Sequence, residues 1–223
     1  MRKTLRAELL ASGATVVGFA RLRGALGDEI SHLETAVSIG VERTLNEETI
    51  RLLSSLQKRV VHSVKRKGYR YLCIPPDSDR SQGTFISKLY PLFTHKMAAT
   101  SAGLGWIGRN GLLISPEYGP RLSLATVLTD APIPADDPIE FSRCGDCTLC
   151  QDFCPSEAIT GREWSRYTPF AEMVKTGCCS THKRKSRALK GKPNCGLCRT
   201  ICPYGRKRLT KKTTHREPLA RTS

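Results

Sequence analysis

The chain has 223 residues, of which 39% are hydrophobic, enough to bury the core of one large domain or of a medium and a small one. No apolar run approaches the ~18 residues of a membrane-spanning helix. Met1-Arg2-Lys3 opens the chain, but Arg6 and Glu8 interrupt the apolar run and no small-residue cleavage site follows cleanly, so a signal peptide is not expected. The formal net charge of +16 favours acidic or polyanionic partners.

In chain order, residues 3–12 are predicted to form a helix with Leu5, Leu9 and Leu10 on one side and Gly13 as its stop. Residues 14–20 and 36–41 are short, β-branched and apolar, and are predicted strands. Asn46 is a plausible N-cap for a helix reaching 67, because Ile50, Leu53, Leu56, Val60 and Val64 recur at helical spacing and Gly68 closes it. Residues 69–74 form a third predicted strand, ended by Pro75-Pro76. It contains Cys73, which is expected to be a small buried hydrophobe. A helix is predicted over 85–102, then the turn Gly103-Leu104-Gly105-Trp106-Ile107-Gly108, then strands at 112–114 and 121–129. The turn matches G-x-G-x-x-G by letter. A dinucleotide-binding turn follows a strand and opens a helix, whereas this one follows a helix and leads to a strand. Alternating helices and strands make residues 1–138 an α/β domain, and the proline-rich stretch 130–138 reads as a linker.

Beyond it, Cys144, Cys147, Cys150 and Cys154-Pro155 form C-x2-C-x2-C-x3-C-P. Thiolates at this spacing hold cubane clusters in bacterial-type ferredoxins, where the fourth cysteine reaches the other of two clusters. Cys195, Cys198 and Cys202-Pro203 repeat the last three positions of the run, and the missing first one falls on Lys192. Cys178 or Cys179 is available to replace it. Eight ligands then hold two [4Fe-4S] clusters, one on Cys144, Cys147, Cys150 and Cys202, the other on Cys154, Cys178 or Cys179, Cys195 and Cys198. A zinc ribbon has no use for the C-x3-C-P ending. Cysteine-ligated clusters call for a reducing, cytoplasmic compartment. Residues 139–205 are therefore expected to be a small α+β ferredoxin-like double-cluster domain, and 206–223 a basic tail. From 180 to 223 there are 14 Lys or Arg and one acid, Glu217. Such a tail attracts polyanions, tRNA among them, or docks an acidic electron donor.

His95-Lys96-Met97-Ala98-Ala99, the Gly103–Gly108 turn, Leu112-Leu113-Ile114, Glu117-Tyr118-Gly119, Leu128-Thr129-Asp130 and Cys144-Gly145-Asp146-Cys147 fall in one order, with Ala36-Val37-Ser38-Ile39-Gly40 upstream. In these motifs the chain resembles the epoxyqueuosine reductase family and, more distantly, corrinoid reductive dehalogenases. The resemblance implies a nitroreductase-like α/β domain holding base-off cobalamin, fed with electrons by the two clusters from a low-potential donor such as ferredoxin or flavodoxin. The implied activity is an oxidoreductase acting on tRNA epoxyqueuosine or a small molecule, and membrane association is not expected. The alternatives are a ferredoxin-type electron carrier and a corrinoid-activating reductase. His95, Lys96, Gly103, Gly105, Trp106 and Gly108 are the implied cofactor-binding residues. The family's catalytic Asp falls in register on Leu89, so neighbouring Tyr90 or His95 is the candidate proton donor. By the same register Cys178 is preferred over Cys179.

Overall fold

A computed structural model of the chain describes residues 1–24, 26–76, 94–190 (187–190 without their side chains) and 195–206. Helix α1 (Arg2–Ala11) buries Leu5 and Leu9, four residues apart and so on one face. It ends where Gly13 takes a φ of 102°, a conformation that favours glycine. Strand β1 (Val16–Arg21) pairs antiparallel with β2 (Thr35–Val41), all of whose residues are buried. Helix α2 (Glu47–Lys65) is capped as its sequence predicts, the Asn46 side chain accepting from the Thr49 amide at 2.8 Å. Strand β3 (Tyr71–Ile74) closes one side of the sheet.

Further along lie α3 (His95–Ser101) and a two-stranded hairpin of β4 (Trp106–Ile107) and β5 (Leu113–Ile114). Strand β6 (Ser123–Thr129) then returns to the main sheet. The strand order is β1-β2-β6-β3, and every pairing is antiparallel. The helix–strand alternation of the sequence thus builds a mixed α/β layer whose sheet, among the described residues, is wholly antiparallel.

The two faces of the sheet differ in side-chain size. On one, Phe19, Val37, Ile39, Val41 and Val127 pack against Leu5 and Leu9 of α1 and Leu53, Leu56, Val60 and Val64 of α2. Each such aliphatic side chain contributes about 1.5–3 kcal/mol on full burial. On the other, Ala20, Ala36 and Leu128 meet Ala98 and Ala102. Small residues there let α3 lie close to the backbone: a Cβ on Gly18 would stand 2.7 Å from the Ala102 carbonyl oxygen. The proline-rich stretch is packed rather than detached. Ala131 and Ile133 are buried, and Asp136 accepts from the Phe19 amide at 2.8 Å and pairs with Arg2 and Arg6 of α1.

The cysteine-rich part carries α4 (Leu149–Asp152), α5 (Phe170–Met173), α6 (Thr176–Lys190) and α7 (Leu197–Thr200). A third core joins it to the sheet layer: Ala99 and the β4–β5 hairpin pack with Ile139, Trp164, Met173 and Val174, and Cys144, Cys202 and Tyr204 lie against them. Among the described residues, no helix is long and apolar enough to cross a membrane.

Candidate metal centre and adjoining cavity

The first three cysteines sit on a loop that turns at Gly145 (φ 56°) and runs into α4. Cys202 joins them from beyond α7. Gly108, Arg109, Asn110 and Ile114 of the hairpin complete the cavity they line, with Cys144, Cys147, Cys150, Cys202, Pro203 and Tyr204. Burial and the neighbouring thiolates of Cys144, Cys198, Cys147 and Cys202 push the Cys150 thiol up to about 12. Burial also raises Cys202, next to Cys144 and Cys147.

A second group forms beside the first. Burial raises the Cys198 thiol, and Cys179, Cys195 and Cys154 stand near enough to act on it by charge. Cys154 goes the other way. Its burial is more than offset by Ser156, through backbone and hydroxyl, and by the amides of Ala158 and Ile159, so its thiolate is favoured. The Ala158 amide donates to its sulfur at 3.4 Å. The C-x3-C-P cysteine of each motif thus lies near the other motif's thiols, Cys154 by Cys198 and Cys202 by Cys144 and Cys147. Among the described residues, no three His, Cys, Asp or Glu side chains converge on a point able to hold one metal ion. A cubane does not need that convergence, because each of its four thiolates binds a different iron.

The sequence preference for Cys178 does not match this grouping. Cys178 is exposed, beside Pro155, Ser156, His182 and Lys185, while Cys179 is half-buried and faces Cys198. Cys73 is half-buried against the sheet core, and burial raises its thiol.

The β4–β5 hairpin ties the thiol loops to the sheet layer. Arg109 donates to the Gly145 carbonyl at 2.9 Å and the Gly161 carbonyl at 2.7 Å and pairs with Glu163. Asn110 Nδ2 donates to the Cys198 carbonyl at 3.0 Å. Arg109 and Asn110 follow directly on the glycine turn, but no spacing rule marks them as clasps.

On the other side of the hairpin lies an open cavity of about 530 Å³, within the ~300–1,000 Å³ usual for ligand sites. Lys96, Thr94, Met97 and Thr100 of the α3 region face Ile107, Trp164, Arg166, Thr168, Phe170 and Met173 across it. Lys96 Nζ donates to the Gly111 carbonyl at 2.7 Å and stands 5.0 Å from the Phe170 ring centre. Arg166 donates to Ser101 Oγ at 2.8 Å, and its Nη2 is buried with no hydrogen-bond partner among the described residues.

The other expected cofactor residues lie elsewhere. A Cβ on Gly103 would meet the Asp137 carbonyl oxygen at 2.5 Å, on Gly105 that of Ile114 at 2.3 Å, and on Gly108 the Ile114 side chain at 2.8 Å. These glycines are required by the chain's own packing. Trp106 is 2% exposed, its ring edge-on to Tyr204 at 4.9 Å. His95 bridges the end of β3 and β6: its Nε2 donates to the carbonyl of Pro75, the residue after β3, and its Nδ1 meets Thr126 Oγ1, both at 2.9 Å. That is the geometry of a strut. Leu89 and Tyr90 lie outside the described residues, as do 207–223 of the basic tail.

Comparison with known proteins fits this picture. No protein-family model matches the chain. It resembles curated epoxyqueuosine reductases: that of Lactococcus garvieae is 33% identical over 111 residues, 48% of this chain and 31% of the relative. That of Synechococcus sp. strain RCC307 is 40% identical over 116 residues, 49% of this chain and 34% of the relative. The chain thus spans about a third of the length of these relatives. In fold it matches an epoxyqueuosine reductase solved with an epoxyqueuosine-modified tRNA-Tyr stem loop, at TM-score 0.65, 17% identity and coverage of 92% of this chain and 65% of that one. It matches a reductive dehalogenase, solved in work on B12-dependent dehalogenation, at TM-score 0.65 and 19% identity, covering 96% of this chain and 34% of that one.

Proposed function

We propose that the chain is an iron–sulfur oxidoreductase of the epoxyqueuosine reductase type. In this reading a nitroreductase-like α/β domain (1–138) precedes a ferredoxin-like domain (139–205) with two [4Fe-4S] clusters, and cobalamin occupies the cavity between them. The observation that carries the reading is the β4–β5 hairpin, which has a cysteine-lined cavity on one side and an open ligand-sized cavity on the other. A simple electron carrier has no use for the second.

Cys144, Cys147, Cys150 and Cys202 would hold the first cluster, and Cys154, Cys179, Cys195 and Cys198 the second. The clusters would supply single low-potential electrons, and cobalamin a reducible cobalt centre. The chain's own residues bind and orient. Lys96 and Thr94 offer donors to corrin amides or to substrate, and Arg166 stands at the same wall. Trp164, Phe170 and Met173 exclude water. The glycine turn holds the hairpin between the two cavities and leaves cofactor contact to side chains. His95 fixes α3 to the sheet, so Tyr90 remains the candidate proton donor.

The substrate in this reading is epoxyqueuosine in tRNA or a small molecule, with the basic tail contacting RNA. The supporting likeness is to relatives that this chain covers only in part. The test is equilibrium binding of cobalamin to the anaerobically reconstituted chain, read by electron paramagnetic resonance. A base-off cob(II)alamin signal that weakens in Lys96→Ala is expected. No binding at high micromolar cobalamin would remove the reductase reading and leave an electron carrier.

A further inference from the structure

The cavity walled by Cys144, Cys147, Cys150 and Cys202 also takes in three polar residues, Arg109, Asn110 and Tyr204. Two of them are turned to backbone. The Asn110 amide donates to the Cys198 carbonyl at 3.0 Å, and the Tyr204 hydroxyl donates to the Arg143 carbonyl. Arg109 differs. Its Nη1 and Nη2 donate to the Gly161 and Gly145 carbonyls, but its Nε is buried with no hydrogen-bond partner among the described residues. A buried N–H without an acceptor costs about 1–3 kcal/mol. Gly145 lies between Cys144 and Cys147, so the guanidinium is fixed against the thiol loop itself.

The two cysteine groups also differ in what offsets their charge. In the second, Ser156 and the amides of Ala158 and Ile159 favour the Cys154 thiolate. In the first, Cys150 is raised by burial and by its neighbouring thiolates, and Cys202 is raised despite a hydrogen bond from the Tyr204 backbone. A cubane held by four thiolates is an anion, and reduction makes it more negative. Arg109 brings a cation to this wall. Its ion-pair partner Glu163 and the loop residue Asp146 oppose it, but both are exposed, so water weakens their hold.

We propose that Arg109 Nε donates to a sulfur of the first cluster and sets the potential at which that cluster takes up an electron. The inference rests on the two-cluster reading. An N–H donor and a positive charge stabilise the more negative, reduced cluster, so together they raise its reduction potential. In the step they tune, one electron leaves a low-potential reductant, which is oxidised, and takes the first cluster from the 2+ to the 1+ state. No bond is made or broken, and Nε keeps its proton. Arg109 is thus a tuning residue as well as a clasp: one guanidinium ties down the thiol loop and answers the charge of what the loop holds.

The test uses the full chain, reconstituted anaerobically with iron and sulfide. It is titrated with dithionite while electron paramagnetic resonance follows each reduction step. Arg109→Met keeps most of the apolar stem and removes both donor and charge. One of the two steps is expected to move to lower potential by about tenfold in its equilibrium constant, ~59 mV for one electron, while the other stays. Arg109→Lys, which keeps the charge and loses Nε, should move the same step by less. Glu163→Gln, which loosens the clasp and leaves Nε in place, should not lower it. Where Arg109→Met loses its iron, a measurement on the unmodified chain decides. Grown with arginine carrying the heavy nitrogen isotope and then reduced, it should show a nitrogen hyperfine coupling to a cluster spin, and Arg109→Lys should lose that coupling. Unmoved midpoints in Arg109→Met with full iron content would overturn the proposal and leave Arg109 a clasp alone. So would the absence of that coupling in the unmodified chain. An unmodified chain that takes up no iron would overturn the cluster reading itself, and the proposal with it.

Discussion

Two adjacent cysteines at the start of α6 separate what spacing can say from what only a folded helix can. Successive residues on a helix point about 100° apart, so Cys178 and Cys179 cannot both face Cys198. The sequence places a ligand somewhere in the pair, and the phase of α6 turns Cys179 inward and Cys178 to solvent. Cys179→Ala is therefore expected to lose about half of the chain's iron, and Cys178→Ala to keep it, as measured by anaerobic iron analysis. The reverse result would return the ligand to Cys178. The other six motif cysteines and Cys154 were legible because a cluster loop writes its ligands as local spacing. The role of His95 was not legible: its two partners, Pro75 just past β3 and Thr126 in β6, lie far apart in the chain. Arg166 was missed for the same reason, since its cavity exists only after the cysteine-rich part folds onto α3.

Among the elements, α2 was readable end to end because its apolar period and its Asn46 cap agree. The two-residue strands β4 and β5 are too short for any period, and only β5 fell within a predicted strand. Packing now accounts for the glycines of the turn. Gly105→Val would drive a side chain into the Ile114 carbonyl, 2.3 Å from a Cβ. It should destabilise the chain by about 2 kcal/mol or more, with or without cobalamin, in denaturant unfolding. A loss confined to cobalamin binding would restore the turn as a cofactor cradle.

The clasp of α1 on the stretch after β6 carries its own pH dependence. Burial opposes the Asp136 carboxylate, but Arg6, the Phe19 amide and Arg2 outweigh it and hold its pKa below the ordinary value. A depressed carboxyl stabilises the fold above its unfolded pKa, near ~4, and loses that contribution as pH falls through the folded value. Asp136→Asn should cost about 1–3 kcal/mol at neutral pH. The difference between variant and unmodified chain should shrink below about pH 4, as followed by circular dichroism.

At the scale of the whole molecule, one antiparallel sheet with helices on both faces supports a cysteine-rich part through a shared core. Without metal, that part holds buried thiols whose pKa values are raised, Cys150 to about 12, with Cys198 and Cys202 also up. A raised thiol stabilises the metal-free fold below the unfolded pKa and is lost as pH rises through the folded value. The metal-free chain should therefore weaken as pH climbs from about 9 toward 12, as read by thermal melts across that window. The chain's formal charge of +16 is concentrated at this end of the sequence, where residues 180–223 carry 14 Lys or Arg and one acid.

The claim on which the rest depends is that eight of the ten cysteines assemble two interleaved cubane clusters beside a ligand cavity. Iron and acid-labile sulfide analysis of the anaerobically reconstituted chain, with electron paramagnetic resonance of the reduced protein, tests it most directly. The account predicts about eight irons and about eight sulfides per chain and the signals of two interacting reduced clusters. Four irons per chain, or zinc in place of iron, would contradict it.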